Sequence, residues 1–192
     1  MSVANETYIS PEQYLAGETD ADVKNEYHRG VVAALPGASP EHTEITANVA
    51  GELRLQFKGR PYRVFANHLR IKVGATSFYT YPDVVVICDQ PIIALEGERP
   101  NTVLNPILIV EVMSEATTAA DQGKKFDNYR HIPTLREYIL VSELESKIVS
   151  FLRPEAGDDW ERTEVSAPND LLYLTSVDCT LAIADIYPPR DA

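Results

Sequence analysis

Two segments, "DVVVIC" (83–88) and "PILIVEVM" (106–113), are apolar at nearly every position. Neither alternates between a dry and a wet face, so a strand built from either needs cover on both sides. The chain must therefore form layers with a sheet between them. Its 192 residues suffice for a single domain, 1–192, that buries roughly 70% of its unfolded surface. One residue violates this apolar pattern. Strand alternation puts Ile107, Ile109, Glu111 and Met113 on one face and Leu108, Val110 and Val112 on the other. A lone ionised carboxylate among them is costly, or it takes up a proton.

Asp83, at the start of the other apolar segment, supplies a reason for Glu111. In an antiparallel pairing that sets Asp83 opposite Glu111, Cys88 faces Pro106 and residues 89–105 form the connection. Directly opposed side chains lie ~4.5–5.5 Å apart at Cβ. Two carboxylates that close repel, and a divalent cation resolves the conflict. Mg²⁺ or Mn²⁺ suits such a site, taking one or two carboxylates with water and substrate phosphate completing the shell.

The remaining elements follow from local signals. In "YISPEQYL", Ser10 is an N-cap, Pro11 the first helical residue and Gln13 the third member of a capping box. "EYHRGVVAAL" reads as a strand or hairpin and "PGASPEH" as a loop. In "HTEITANVAGELRLQFKG", Ile45, Val49, Leu53 and Phe57 recur on one helical face, and Gly59 ends it. "YRVF", "HLRIKV", "SFYTY", "REYILVS", "KIVSFLR" and "ERTEVSA" read as strands, "TTAADQGKKFDNYRH" as a helix, and "LAIADIY" as a strand closing the sheet. Helices on either side of these strands make an α/β or α+β sandwich.

Charge and cysteine content narrow the function. A net charge of −12 disfavours broad electrostatic binding of nucleic acid, though not a local basic groove. Cys88 and Cys179 have no metal-ligand spacing. No apolar run reaches the ~18 residues of a membrane span, and "MSVANETYIS" lacks signal-peptide features. The expected setting is the cytoplasm, without a membrane partner.

Pro82–Asp83 followed by "EVM" at Glu111–Met113 resembles the signature of the PD-(D/E)XK nuclease superfamily. More closely, "YPDVVVICD", "PILIVEVMSEAT", "DQGKKFDNYR" and "REYILVS", in this order, resemble the bacterial Uma-type putative restriction endonucleases, from about Tyr8 to Tyr187. The resemblance implies a restriction-endonuclease-like mixed β-sheet core flanked by helices. It also implies a Mg²⁺-dependent (or Mn²⁺-dependent) endonuclease acting on DNA, working as a homodimer. Asp83 and Glu111 would be the metal ligands and, with Lys125, the catalytic set; Glu26, His42 and Asp121 match supporting positions. The superfamily's lysine, two residues after the glutamate, is here Met113. Lys125, one helical turn after Asp121, matches the Uma-type lysine and is placed to substitute for it. Gly123 on that helix points to close packing.

Other readings stand beside these. Asp83 caps a turn, or Glu111 forms a buried ion pair with Lys125 or Arg130. Lys124 offers the same chemistry as its neighbour, His42 bonds the backbone at a helix start, and Glu26 lies at an exposed strand edge. Phe126 and Tyr129 read as core. The alternative function is a non-catalytic interaction or regulatory protein that retains a nuclease fold.

Overall fold

Strands β6 (Val84–Cys88) and β8 (Leu108–Met113) lie at the centre of the protein. The computed structural model describes residues 8–96, 101–114, 119–157 and 159–187, with the side chains of 119–122 outside that description. In chain order the other elements are α1 (Pro11–Thr19), β1 (Asn25–His28), β2 (Val31–Ala34), α2 (Pro40–Gln56), β3 (Tyr62–Ala66), β4 (Arg70–Val73), β5 (Phe78–Thr80), β7 (Thr102–Val103), α3 (Ala119–Tyr129), β9 (Glu137–Ser142), β10 (Ile148–Leu152), β11 (Glu161–Val165), β12 (Leu171–Leu174), β13 (Cys179–Ala182) and α4 (Ile183–Ile186). The fold is mixed α+β.

Six strands form the main sheet in the order β11-β10-β9-β8-β6-β3. Only β8 and β9 run parallel within it. Strands β6 and β8 pair antiparallel with Val84 opposite Val110 and Val86 opposite Leu108. That is the register expected from setting Asp83 opposite Glu111.

Both faces of this sheet are covered, as its composition requires. On one, Val84, Val86, Leu108 and Val110 pack with Ile45, Val49 and Leu53 of α2 and with Leu172 and Leu181 of the β12–β13 hairpin. On the other, Val85, Ile87 and Ile109 meet Tyr129 of α3 and Ile71, Val73 and Phe78 of a second sheet. The second sheet has the order β2-β1-β5-β4-β7. Burying a side chain of Leu or Ile size contributes ~1.5–3 kcal/mol, so this double cover is the main source of cohesion. Among the described residues no helix is long and apolar enough to cross a membrane.

The helix signals correspond to structure. Ser10 caps α1 in a reciprocal box with Gln13. Residues Ile45, Val49, Leu53 and Phe57 are all buried. Helix α2 nevertheless begins earlier than expected, because Ser39 accepts from the His42 amide and Pro40 occupies the first turn. Part of "PGASPEH" is thus helix. "EYHRGVVAAL" is a hairpin whose turn residues, Arg29 and Gly30, have φ of 51° and 96°.

Three expectations need correction. "LAIADIY" does not close the main sheet. Its first half pairs with β12 as β13, and Ile183 and Ile186 turn inward as α4 against the α2 side of the core. The 89–105 connection is not simply a loop, since it contributes β7, parallel to β4 in the second sheet. Its residues 97–100, and 117–118 of the expected third helix, lie outside the described residues. Finally, Gly123 is not demanded by close packing, because a Cβ there meets nothing within 4 Å. Gly123→Ala should therefore raise the free energy of unfolding by ~0.5–1 kcal/mol, measured by urea titration. A loss of stability would show that α3 needs glycine's conformational freedom.

Candidate active site

Asp83 lies one residue before β6, where the ladder with β8 runs out. Its Oδ2 accepts from the Val112 amide at 2.7 Å, replacing the partner that a longer β6 would have offered. This ties its carboxylate to β8 beside Glu111. Its Oδ1 is 2.8 Å from His42 Nε2. An ionised carboxylate only accepts, so Nε2 carries the proton. Of the two readings of His42, the helix start accounts for its amide, which donates to the Ser39 side chain, while its ring goes to Asp83, beside the site.

Glu111 is 8% exposed. Lys125 Nζ lies 3.2 Å from its Oε1 and 3.1 Å from its Oε2, and the Tyr129 hydroxyl donates to Oε1 at 2.5 Å. Lys125 and Tyr129 are one turn apart on α3, so the helix presents both from one face. Lys125 also reaches Glu26 Oε1 at 3.1 Å, and the Thr80 hydroxyl donates to that same oxygen. Glu26 is thus drawn into the cluster rather than left at an exposed edge. Met113 packs against the core on the α3 side. Lys125 makes the contact with Glu111, and Lys124 lines the adjoining cleft. Asp121 belongs to α3 one turn before Lys125, and its side chain falls outside the described residues.

Three participants were not anticipated. Tyr129 is core, as expected, but also binds Glu111; its spacing of four from Lys125 was the available signal. Ser39 donates to Glu143 Oε1 at 2.6 Å, and Glu143 Oε2 lies 3.9 Å from His42 Nδ1. Glu143 is there because the parallel β8–β9 register sets Ser142 beside Met113. Nothing local in the sequence announces that.

Electrostatics show what the cluster lacks. Asp83, Glu111 and Glu26 share the Lys125 ammonium and the His42 imidazole, with Lys24 also acting on Asp83 and Glu143 on His42. Burial pushes the Glu111 carboxyl up to about 7, against the opposing Lys125 charge and with reinforcement from Asp83. Burial alone would lower the Lys125 pKa, but Glu111 and Glu26 outweigh it and hold the ammonium charged. The Asp83 hydrogen bond raises His42, against its desolvation. Among the described residues, no three His, Cys, Asp or Glu side chains converge at ligand spacing. Asp83 and Glu111 are a pair of hard oxygen donors at this end of β6 and β8. That donor set fits Mg²⁺ or Mn²⁺ completed by water and phosphate.

A family described as "Uma2: Putative restriction endonuclease" matches residues 11–184. Two proteins of Synechocystis sp. (strain PCC 6803) are similar over nearly their whole lengths. One, sll1609, is 32% identical over 170 residues, covering 88% of this chain and 94% of its own. The other, slr1290, is 34% identical over 181 residues, covering 93% and 91%. A crystal structure of "a putative nuclease belonging to DUF820" from Anabaena variabilis superimposes with a TM-score of 0.69 at 21% identity, covering 86% of this chain and 90% of that one. It shows that the fold is shared.

The raised Glu111 pKa has a consequence for stability. Between the ordinary carboxylate value of 4.5 and about 7, the native state holds a proton that the unfolded chain has released. Stability therefore falls as pH rises through that window, and the whole penalty is present above it. In metal-free buffer, wild type should lose ~1–3 kcal/mol relative to Glu111→Gln between pH 4.5 and 8, measured by urea titration at each pH. Parallel profiles would mean that Glu111 ionises without cost.

Proposed function

The chain belongs to the Uma2 family, described as "Putative restriction endonuclease", and from that premise we propose that it is a metal-dependent endonuclease hydrolysing DNA phosphodiester bonds. The observation that carries this reading is Lys125 seated between Glu111 and Glu26, with Asp83 acting on Glu111. An ammonium and hard oxygen donors meet in one place at the edge of an open cleft. A cytoplasmic homodimer fits the same reading, since one site cuts one strand and a double-strand break calls for two copies.

Asp83 and Glu111 would hold the ion. When bound, Mg²⁺ or Mn²⁺ polarises the phosphate and lowers the pKa of its water. The chain's residues do the rest. The Val112 amide and His42 hold the two Asp83 oxygens, so that carboxylate cannot swing away. Tyr129 fixes the plane of the Glu111 carboxylate. Lys125 orients the attacking water or balances the charge that grows on the phosphate oxygens, in a buried setting where such an interaction is worth most. Met113 in place of the superfamily's lysine is no obstacle to this scheme, because α3 delivers an ammonium to Glu111 instead.

The test is Mn²⁺ calorimetry with a short non-cleavable DNA duplex present, together with nicking of supercoiled plasmid in Mg²⁺. Glu111→Ala and Asp83→Ala should each lose more than the ~10–100-fold in metal affinity that follows removal of outer-shell partners. Lys125→Ala should abolish nicking while metal binding persists. Equal Mn²⁺ binding in wild type and both carboxylate variants would make Glu111 a structural carboxylate. Light scattering should find a particle of twice the 21.4 kDa chain mass; a species at the chain mass alone would rule out the dimer.

A further inference from the structure

The second sheet has one face that is only partly used. Glu26 pairs with Ala33 and His28 with Val31 across the β1–β2 hairpin, and His28 pairs with Phe78 across β1 and β5. Strand alternation then sets all five side chains on one face. Tyr27 and Val32 turn the other way, into a separate cluster with Tyr14 and Tyr79. Towards β4, this first face is core: Ile71, Val73 and Phe78 are buried against the main sheet. Towards β2 the cover stops, and Val31 is left 48% exposed. Helix α3 passes beside this uncovered end. Between the hairpin and the helix lies a cleft of about 400 Å³ that reaches Lys125.

We infer that this cleft seats one unpaired nucleotide next to the scissile phosphate, so that the substrate is DNA with a single-stranded segment at the cut rather than an unbroken duplex. The inference rests on the nuclease reading above and specifies its substrate class. The volume falls in the ~300–1,000 Å³ range of small-ligand sites. Val31, Ala33 and Phe78 give the cleft apolar walls for the faces of a base. The His28 ring, in edge contact with Phe78 at 5.6 Å between centroids, adds a polar aromatic surface. Asn128 on the opposite wall is fixed by its bond to the Lys124 carbonyl at 2.8 Å and faces the same space as an amide suited to a base edge. Lys125, held between Glu111 and Glu26, marks the end nearest Glu111, and Lys124 lines the same cleft. The nucleotide's phosphate would lie there, beside the cation that the nuclease reading assigns to Asp83 and Glu111.

Two further considerations favour an unpaired base. A base stacked and paired in a duplex cannot enter a gap between a sheet and a helix. Extruding it costs its stacking and pairing, least where the strand is already single. The chain's net charge of −12 also withholds the broad positive field by which proteins track duplex phosphates. Local recognition of one nucleotide needs no such field. Burial, with Arg29 nearby, pulls the His28 imidazole below its usual value, so a base would meet it as a neutral ring.

The experiment compares three fluorescein-labelled DNAs by anisotropy, with Ca²⁺ in place of Mg²⁺: a 15-mer single strand, its blunt duplex, and that duplex with a three-nucleotide bulge. The single strand and the bulged duplex should bind at least about tenfold tighter than the blunt duplex, within the range that stacking of one base supports. Ala33→Trp, on an exposed edge strand, fills the cleft and should erase that preference. His28→Ala should weaken it without filling anything. Independently of any variant, 2-aminopurine in the bulge should brighten on binding wild type as the base leaves its stack. Equal affinity for blunt duplex and single strand, unmoved by Ala33→Trp, would overturn the cleft assignment. The nuclease reading would survive that result if Glu111-dependent cleavage of duplex persisted, whereas no cleavage of any of the three DNAs in Mg²⁺ would overturn both.

Discussion

The antiparallel pairing of β6 with β8 brings two carboxylates to one end of two otherwise apolar strands. Hydrophobic cover on both faces of those strands leaves little water to screen them. The arrangement around them is compensation. The Val112 amide and His42 engage Asp83, and Lys125 and Tyr129 engage Glu111. Compensation is incomplete, because Glu26 also claims Lys125. A fold that only needed stability would have replaced this cluster with well-packed apolar residues, since buried ion pairs rarely repay their desolvation. Retaining carboxylates at this depth makes sense if a cation is brought there.

The layers deliver these groups from opposite directions. Helix α2, on one face of the main sheet, carries His42 at its first turn. Helix α3, on the other, carries Lys125 and Tyr129. Glu26 arrives from the second sheet. Each is placed by an element whose position depends on apolar packing: Ile45, Val49 and Leu53 seat α2, and Tyr129 itself seats α3 against Tyr138. Tyr129 is therefore both a packing residue and a hydrogen-bond donor to the site. The parallel β8–β9 pair brings Glu143 to the same end, where Ser39 links it to the cap of α2. Cap, strand end and carboxylate form one connected unit.

Much of this was legible from local pattern. A strand with no polar face demands two covers, and both covers are there. The N-cap at Ser10, the fourfold spacing from Ile45 to Phe57 and the hairpin around Gly30 depend on neighbours within a few residues, so the chain announces them. Even the β6–β8 register could be read, because only one alignment gives Glu111 a reason. The helix carrying Lys125 was read from its own segment, "TTAADQGKKFDNYRH", whereas the place of Lys125 in the site came from the resemblance to the Uma-type pattern.

The rest depends on contacts between residues far apart in the chain, which local pattern does not encode. Ser39 and Glu143, 104 positions apart in the chain, meet through the β8–β9 pairing, which also makes Glu143 a neighbour of His42. Thr80 meets Glu26 only because β1 and β5 share a sheet. "LAIADIY" reads as a strand, yet Ile183–Ile186 is helix, with Ile183 and Ile186 buried in the core cluster that α2 covers. The cleft beside Lys125 is least legible of all, for it is the space left where the second sheet outruns its cover. Residue order determined the chemistry available and the elements to carry it. Packing in three dimensions determined which of those groups meet, because burial and charge act on whatever the fold brings within a few ångströms.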